Sequence, residues 1–232
     1  MSSADVSSLE SVPWVLAAGV DVEGWEAAPP SVTFADGTAA GSTGCNRFGG
    51  SYTVDGDTLE LGELAMTAMG CPPPTDAVER AYVAALERVA GWRSENEELV
   101  LVDADDGELL RYRIATPVGS WEATGIPQGD AFTSLLAGTE ITASFTESGE
   151  LSGSASCNTY RATYTADRGA IEISPPATTK MACAEPAGIM EQEAAFLLAL
   201  PTAVRYRVEG STLDLLSAED TLVASFTRAP GD

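Results

Sequence analysis

Four cysteines carry the clearest chemical pattern in this chain of 232 residues. Cys45 precedes Cys71 by 26 positions, and Cys157 precedes Cys183 by the same 26. The equal spacing predicts the disulfides Cys45–Cys71 and Cys157–Cys183, out of the three connectivities that four cysteines allow. Each bond would stabilise its loop by about 3–4 kcal/mol in the chain-entropy model. Disulfides also indicate an oxidising, extracytoplasmic compartment.

Two other roles for the cysteines stay open. They could be buried free thiols, or they could bind zinc as four thiolates. Zinc sites usually draw on closely spaced cysteine pairs, often together with histidine. The sequence has no Cys-x-x-Cys pair and no histidine. A four-cysteine zinc site would have to join both halves of the chain, so we predict disulfides and no metal site.

An asparagine follows the first cysteine of each pair, at Asn46 and Asn158. Asparagine tolerates left-handed backbone and bonds to nearby main-chain groups, which favours a structural role in a turn over contact with a ligand. The second cysteine of each pair closes a Thr-x-Met-x-Cys stretch. The motif residues of these stretches are Thr67, Met69, Thr179 and Met181. Alternation along a strand would put the threonine and the methionine on one face, which favours core or cross-strand packing over a ligand or redox role.

The sequence gives little support for a catalytic function. The absence of histidine excludes a Ser-His-Asp or Cys-His site and removes the most common general base. Paired carboxylates could still act as acid and base, but the sequence singles out no pair. An acidic turn around Gly107, with Asp103, Asp105, Asp106 and Glu108, could offer ligands to calcium, but without the full helix-loop-helix pattern a solvated turn is favoured. We predict no catalytic residues, no cofactor and no enzyme activity.

The charge balance restricts the partners. The chain has 35 acidic and 12 basic residues and a net charge of −23, and both halves are acidic. Such a surface repels nucleic acid and anionic headgroups, so we predict no nucleic-acid partner. No apolar run is long enough for a membrane-spanning helix. The opening residues 1–5 are typical of a chain that follows a removed leader, with or without a lipid anchor.

The cysteine motifs belong to an internal repeat. Each Cys-Asn pair and each Thr-x-Met-x-Cys stretch recurs at one offset of 112 positions. We interpret residues 12–114 and 119–228 as two copies of one domain. The predicted domains are 1–115 and 116–232, with a short connector at 115–119.

Short strands separated by turns dominate each copy, which predicts a mainly β, α+β fold. The predicted strands are 14–20, 32–34, 50–54, 59–61, 99–102 and 109–114, then 141–145, 162–164, 171–173, 204–208, 213–216 and 222–226. One helix is predicted in each copy. In the first, Asp76 and Glu79 would form a capping box and Gly91 would end the helix. In the second, the helix would run over 190–200 and end at Pro201.

These landmarks resemble the META-domain (HslJ-like) family. Residues 44–52 read Gly-Cys-Asn-Arg-Phe-Gly-Gly-Ser-Tyr and match the family's Gly-Cys-Asn-x-Phe-x-Gly-x-Tyr stretch. Residues 67–71 and 179–183 match its Thr-x-Met-Ala-Cys stretch closely. The second copy departs at Ser156, which replaces the glycine, and at Tyr160, which replaces the phenylalanine. The resemblance covers nearly the whole chain.

The resemblance implies two tandem lipocalin-like antiparallel β half-barrels or meanders, each with one packed helix. It also implies a bacterial secreted protein or envelope lipoprotein, linked to stress or antibiotic tolerance, in a family with no agreed catalytic activity. We therefore predict a monomeric interaction protein that binds another envelope protein. The alternative is a carrier of a small apolar ligand or lipid, held in the cavity of a β-barrel. Four tryptophans could line the mouth of such a barrel, but residues of this kind more often belong to the core or its rim: Trp14, Trp25, Trp92 and Trp121.

Overall fold

The computed structural model describes residues 9–129 and 131–229. The chain divides into two compact units between Ala115 and Thr116, which are called the first and second domains below. No helix in the described part of the chain is both long and apolar enough to cross a membrane.

The first domain is a closed ring of eight antiparallel strands, with a short extra strand and one α-helix. Its elements are β1 (Trp14–Ala18), β2 (Ser31–Ala35), β3 (Thr38–Ser42), β4 (Arg47–Asp55), β5 (Thr58–Leu61), β6 (Ala65–Met66), α1 (Thr75–Leu86), β7 (Gly91–Glu95), β8 (Glu98–Val102) and β9 (Glu108–Ile114). The ring runs β1-β2-β3-β4-β5-β7-β8-β9 and closes where β9 pairs with β1. Strand β6 lies outside the ring and pairs with β4.

The second domain repeats this arrangement. Its elements are β10 (Gly119–Gln128), β11 (Ala131–Thr133), β12 (Thr142–Phe145), β13 (Glu150–Ser154), β14 (Thr159–Asp167), β15 (Ala170–Ile173), β16 (Ala177–Thr178), α2 (Ile189–Ala199), β17 (Arg205–Glu209), β18 (Thr212–Leu216) and β19 (Leu222–Arg228). The ring runs from β10 through β12–β15 and β17–β19 and closes where β19 pairs with β10. The predicted fold class is confirmed, and the half-barrels close into complete rings.

One junction in each ring is held by a single pair of residues. In the first domain Thr58 of β5 pairs with Gly91 of β7. In the second, Ala170 of β15 pairs with Arg205 of β17. The helix of each domain lies in the connection between these two strands, so the ring is weakest where the chain leaves the sheet to form the helix.

Aromatic side chains fill the core of each domain. In the first domain the largest fully buried ones are Trp14, Phe34, Tyr82, Trp92 and Tyr112. In the second domain they are Trp121, Phe145, Tyr160, Phe196 and Phe226. The rings contact one another edge to face, as in the pairs Tyr82–Tyr112 and Tyr160–Phe196. Burial of one such side chain stabilises the fold by about 1.5–3 kcal/mol.

Helix α1 packs against this core through Val78, Tyr82 and Leu86, which recur at helical spacing. The predicted capping box is wrong. Pro74 occupies the N-cap without a side-chain cap, and Asp76 forms an ion pair with Arg80 one turn along the helix. The helix ends at Leu86, and Gly91 begins β7 rather than ending the helix.

Seven strands were missing from the prediction, namely the ring strands β3, β7, β10 and β13 and the short strands β6, β11 and β16. Small residues make up most of β3 and β13, which lack the β-branched and aromatic residues that mark a strand. Their glycines have a packing reason. A Cβ on Gly41 would collide with the carbonyl oxygen of Ser31, and one on Gly153 would collide with that of Thr142. These two equivalent glycines let neighbouring strands approach closely.

Candidate functional site

The cysteine motifs meet at one place in each domain, beside the start of the helix. Cys45, before β4, forms a disulfide with Cys71, before α1, and their Cα atoms are 6.2 Å apart. Cys157, before β14, forms the equivalent disulfide with Cys183, before α2, with Cα atoms 6.0 Å apart. Each disulfide therefore ties the start of a long ring strand to the segment that leads into the helix.

Asn46 is 2% exposed and lies at the centre of this place in the first domain. Its Oδ1 accepts hydrogen bonds from the Thr67 hydroxyl and the Met69 N–H, both at 2.8 Å. Its Nδ2 donates to the Glu79 carboxylate at 3.0–3.1 Å and to the Met69 carbonyl at 3.3 Å. Protein groups thus occupy both hydrogen-bonding positions of the oxygen and both hydrogens of the nitrogen, which leaves the amide no free position for a ligand.

Glu79, on helix α1, completes the arrangement. Its Oε2 also accepts the Asn46 main-chain N–H at 3.2 Å and the hydroxyl of buried Thr43. The asparagine and glutamate join the helix, the disulfide loop and the Thr-x-Met stretch, so we call this group the Asn–Glu clamp: Asn46, Glu79, Thr67 and Met69.

The second domain has the same clamp, formed by Asn158, Glu193, Thr179 and Met181. Asn158 is also 2% exposed, and its main-chain N–H and Nδ2 each donate to Glu193 at 2.7 Å. Its Oδ1 accepts from the Thr179 hydroxyl at 2.7 Å and from the Met181 N–H at 2.8 Å. Its Nδ2 also donates to the Met181 carbonyl at 3.1 Å.

The clamp glutamates were missed as site residues. The sequence contained a usable signal, because a glutamate recurs at the same place in both predicted helices. Glu79 was instead assigned to a capping box. The bonds that define its role cross 33 positions of sequence, and such a contact is invisible to local spacing rules.

The asparagines do not supply the left-handed backbone that the sequence suggested. That conformation falls two residues earlier, at Gly44 with a φ of 91° and at Ser156 with a φ of 89°. Glycine adopts it at little cost, whereas serine is strained there. In the second domain, Gln192 of α2 donates to the Ser156 hydroxyl at 3.0 Å and so supports the strained residue.

The predicted packing of the motif methionines is wrong. Met69 is 61% exposed and Met181 is 56% exposed. Strand β6 ends at Met66 and strand β16 ends at Thr178, so the alternation expected of a strand does not extend to either residue. The clamp holds the main chain of each methionine, and the side chain projects into solvent.

A metal site at this place would need the disulfide to open. Cys45, Cys71 and Glu79 place potential ligand atoms within 4.8 Å of one another. Both sulfur atoms are bonded to each other, however, and the carboxylate accepts hydrogen bonds from Asn46 and Thr43. In the acidic turn, the Asp103 carboxylate accepts the N–H groups of Asp105 and Gly107 and forms an ion pair with Arg88.

Three of the four tryptophans lie in the core, as the sequence favoured, and do not form a barrel mouth. Trp14, Trp92 and Trp121 are buried, and each donates its indole N–H to a main-chain carbonyl. Trp25 is partly buried in a short 3₁₀ turn. Open surface pockets lie instead at the single-pair junctions. The pocket beside Gly91 has a volume of about 570 Å³, and the pocket beside Ala170 has a volume of about 490 Å³.

Comparison with known proteins identifies the repeated unit. The META domain model matches residues 7–116 and again residues 115–230. Solved structures similar to this chain include an NMR structure of a protein from Burkholderia xenovorans, at 28% identity over 50% of this chain and 92% of that chain, with a TM-score of 0.40. A second NMR structure is 25% identical over 48% of this chain and 95% of that chain, with a TM-score of 0.38.

A crystal structure of a DUF4847 family protein from Bacteroides vulgatus ATCC 8482 is 17% identical over 49% of this chain and 94% of that chain, with a TM-score of 0.34. No curated protein matches the chain. The matched model indicates no catalytic family. Since its model covers nearly every residue in two successive segments, the chain belongs to the META domain family and contains two tandem copies of the domain.

Proposed function

We propose that this protein is a non-catalytic, extracytoplasmic binding protein of bacteria, secreted or attached to the cell envelope, and that it contacts an envelope protein through the loops of Met69 and Met181. One observation carries the proposal. In both domains the buried asparagine of the Asn–Glu clamp holds the main chain of an exposed methionine. An apolar, polarisable side chain on a rigid main chain suits binding, because little conformational freedom is lost on contact.

The chemistry of the clamp supports a binding role over catalysis. The Glu79 and Glu193 carboxylates accept hydrogen bonds from the asparagine amides and main-chain N–H groups around them. A general base needs to face a substrate proton rather than a permanent donor. The disulfides favour an oxidising compartment, which supports the extracytoplasmic assignment. The proposed role in stress tolerance rests on the family resemblance alone.

The carrier function is less well supported. A lipocalin-like carrier needs space inside the barrel for its ligand. Large buried side chains occupy the described cores, including Trp14 and Trp92 in the first domain and Trp121 and Phe196 in the second. The two pockets described above open to the surface instead.

The binding proposal is tested with the full, oxidised chain immobilised on beads and exposed to detergent-solubilised envelope of the source bacterium. The variant is Met69→Ser with Met181→Ser. The matched control is Leu198→Ser, which removes an apolar side chain that is 79% exposed but lies on helix α2 outside the loops.

We expect specifically retained envelope proteins to be lost with the methionine variant and kept with the control. Retention that survives the methionine variant, or that both variants abolish equally, would contradict the proposed contact surface. Cell fractionation with an antibody tests the compartment separately, and recovery of the folded chain in the cytoplasm would exclude an extracytoplasmic role.

A further inference from the structure

Methionine has an unusual distribution in this protein. Every methionine in residues 9–129 and 131–229 lies near a clamp, on β6, in a clamp loop or at the start of helix α2. These residues are Met66, Met69, Met181 and Met190. Buried aromatic and aliphatic residues build the cores, and no buried core residue described is a methionine.

The four side chains differ in their access to solvent. Met69 and Met181 are the most exposed, at 61% and 56%, and Met66 is 43% exposed. Met190 is partly buried, and its Sδ accepts the Cys183 N–H at 3.5 Å. Because oxidants reach exposed thioethers first, this gradient predicts an order of reactivity.

The clamp separates the reactive atom from the atoms that hold the fold. The N–H and C=O groups of Met69 both bond to the Asn46 side chain, at 2.8 and 3.3 Å. Met181 is held by Asn158 in the same way, at 2.8 and 3.1 Å. Neither thioether takes part in these bonds, so a polar atom added to the sulfur leaves them in place.

We propose that Met69 and Met181 are oxidation sites, at which a peroxide converts the thioether to the sulfoxide while the domain stays folded. In this step the sulfur lone pair attacks one peroxide oxygen and the O–O bond breaks. The sulfur is oxidised by two electrons, and the second oxygen leaves with both protons as water. The reaction turns an apolar side chain into a polar one on the surface of each domain.

The sulfoxide can also be reduced back to the thioether while the domain stays folded. A thiol-dependent methionine sulfoxide reductase removes the oxygen as water while two of its thiols become a disulfide. The exposure that admits peroxide also admits such an enzyme. This modification does not depend on the proposed binding function, since it requires only that the two sulfur atoms be exposed.

The experiment treats the full, disulfide-bonded chain with hydrogen peroxide and follows each methionine by peptide mass mapping. We expect Met69 and Met181 to oxidise about fivefold or more faster than Met190, with Met66 between them. In denaturant the four rates should converge, since the difference arises from the fold. Equal rates in the folded chain, or fastest oxidation at Met190, would overturn the proposal.

The second readout is stability. The denaturant midpoint of each domain should be unchanged once Met69 and Met181 are oxidised, and the variant Met69→Leu with Met181→Leu should lose the two fast oxidations at the same midpoint. A lower midpoint after selective oxidation would show that the fold depends on the thioethers, which contradicts the proposal. Neither the oxidation rates nor the denaturant midpoints depend on a binding partner. A failure of the binding proposal therefore does not change the interpretation of this experiment.

Discussion

The two domains hold the same clamp with different supporting residues. In the first, buried Thr43 provides its hydroxyl to Glu79 as an additional donor. Buried Ala155 occupies the equivalent position in the second and offers no donor, so Glu193 depends on Asn158 alone among the hydrogen bonds described. The bonds from Asn158 to Glu193 are correspondingly short, at 2.7 Å, against 3.0–3.2 Å from Asn46 to Glu79.

A second difference lies one residue earlier on the helix. Val78 packs in the core of the first domain, whereas Gln192 occupies the equivalent place in the second. Gln192 is buried, accepts the Leu136 N–H at 2.7 Å, and donates to Thr139 and Ser156. The second domain therefore has a polar network around Gln192 and Ser156, where the first domain has Val78 and Gly44.

The junction pockets diverged as well. The pocket of the first domain includes Arg93 together with acidic residues, whereas that of the second has acidic residues but no basic one among its lining. Thus the clamp, the disulfide and the exposed methionine are kept in both copies, while the junction pockets differ in their lining residues. This contrast favours the clamp loops over the pockets as the shared working surface.

Removal of one disulfide at a time gives the largest expected effect. The variants Cys45→Ser with Cys71→Ser and Cys157→Ser with Cys183→Ser each open a loop of the same length, 26 positions. We expect each to lower the free energy of unfolding of its own domain by about 3–4 kcal/mol, because the unfolded chain gains the same entropy in both. Hydrogen exchange followed by mass spectrometry measures the two domains separately. Clearly unequal losses would show that the clamp, rather than loop entropy, sets the contribution of the disulfide.

Replacement of the clamp asparagines should show how much the Thr43 hydroxyl stabilises the clamp of the first domain. Asn158→Ala leaves Glu193 partly unpaired in a buried place and should cost about 3 kcal/mol. Asn46→Ala should cost less, about 2 kcal/mol, because the Thr43 hydroxyl still donates to Glu79. Denaturant unfolding resolved by hydrogen exchange measures both. Adding Thr43→Val to Asn46→Ala should bring the loss in the first domain up to that of Asn158→Ala, and a double variant no worse than the single one would remove Thr43 from the explanation.

The glutamine network should have a smaller effect. Gln192→Met keeps a side chain of similar length but removes three hydrogen bonds, including the one that Gln192 donates to the Ser156 hydroxyl. We expect a loss of about 1–2 kcal/mol in the second domain and faster amide exchange at Leu136. An unchanged exchange rate at Leu136 would mean that the loop is held by other contacts.

Acid should weaken the first domain through its surface carboxylates. The N–H groups of Gly107 and Asp105, followed by the charge of Arg88, hold the pKa of Asp103 below its usual value. Arg111 lowers the pKa of Glu108, and Arg93 and Arg111 lower that of Glu95. A pKa that is lower in the folded state contributes stability above the unfolded pKa, and this contribution is lost as the pH falls through the folded pKa.

We therefore expect the denaturant concentration at the unfolding midpoint of the first domain to decrease when the pH is lowered below about 4, because these carboxylates then become protonated. Over the same pH range, the midpoint of the variant Asp103→Asn should decrease less than that of the unmodified chain. An identical pH dependence in the two proteins would show that the Asp103 turn does not contribute to acid stability. The effect is the smallest of the four because these side chains lie at the surface.

Local and repeated signals were predictable because they depend on neighbouring residues. The spacing of Tyr82 and Leu86 indicated the α1 helix, and the Cys-Asn and Thr-x-Met-x-Cys stretches indicated the family and its mainly β fold. The prediction failed where a residue acts at long range or where an element ends early. Glu79 reads locally as a capping residue but bonds to Asn46, and Met69 reads as part of a strand that ends before it.

The sequence by itself determined the tandem repeat, the family and the mainly β class, since equal spacing, motif identity and alternation are properties of the chain. Only the tertiary structure decided that each ring closes, that a buried asparagine bonds to the helix glutamate, and that Met69 and Met181 face solvent. The physical reason is that burial and hydrogen bonding belong to groups brought together from distant positions. A side chain's environment is set by those partners and not by its neighbours in sequence.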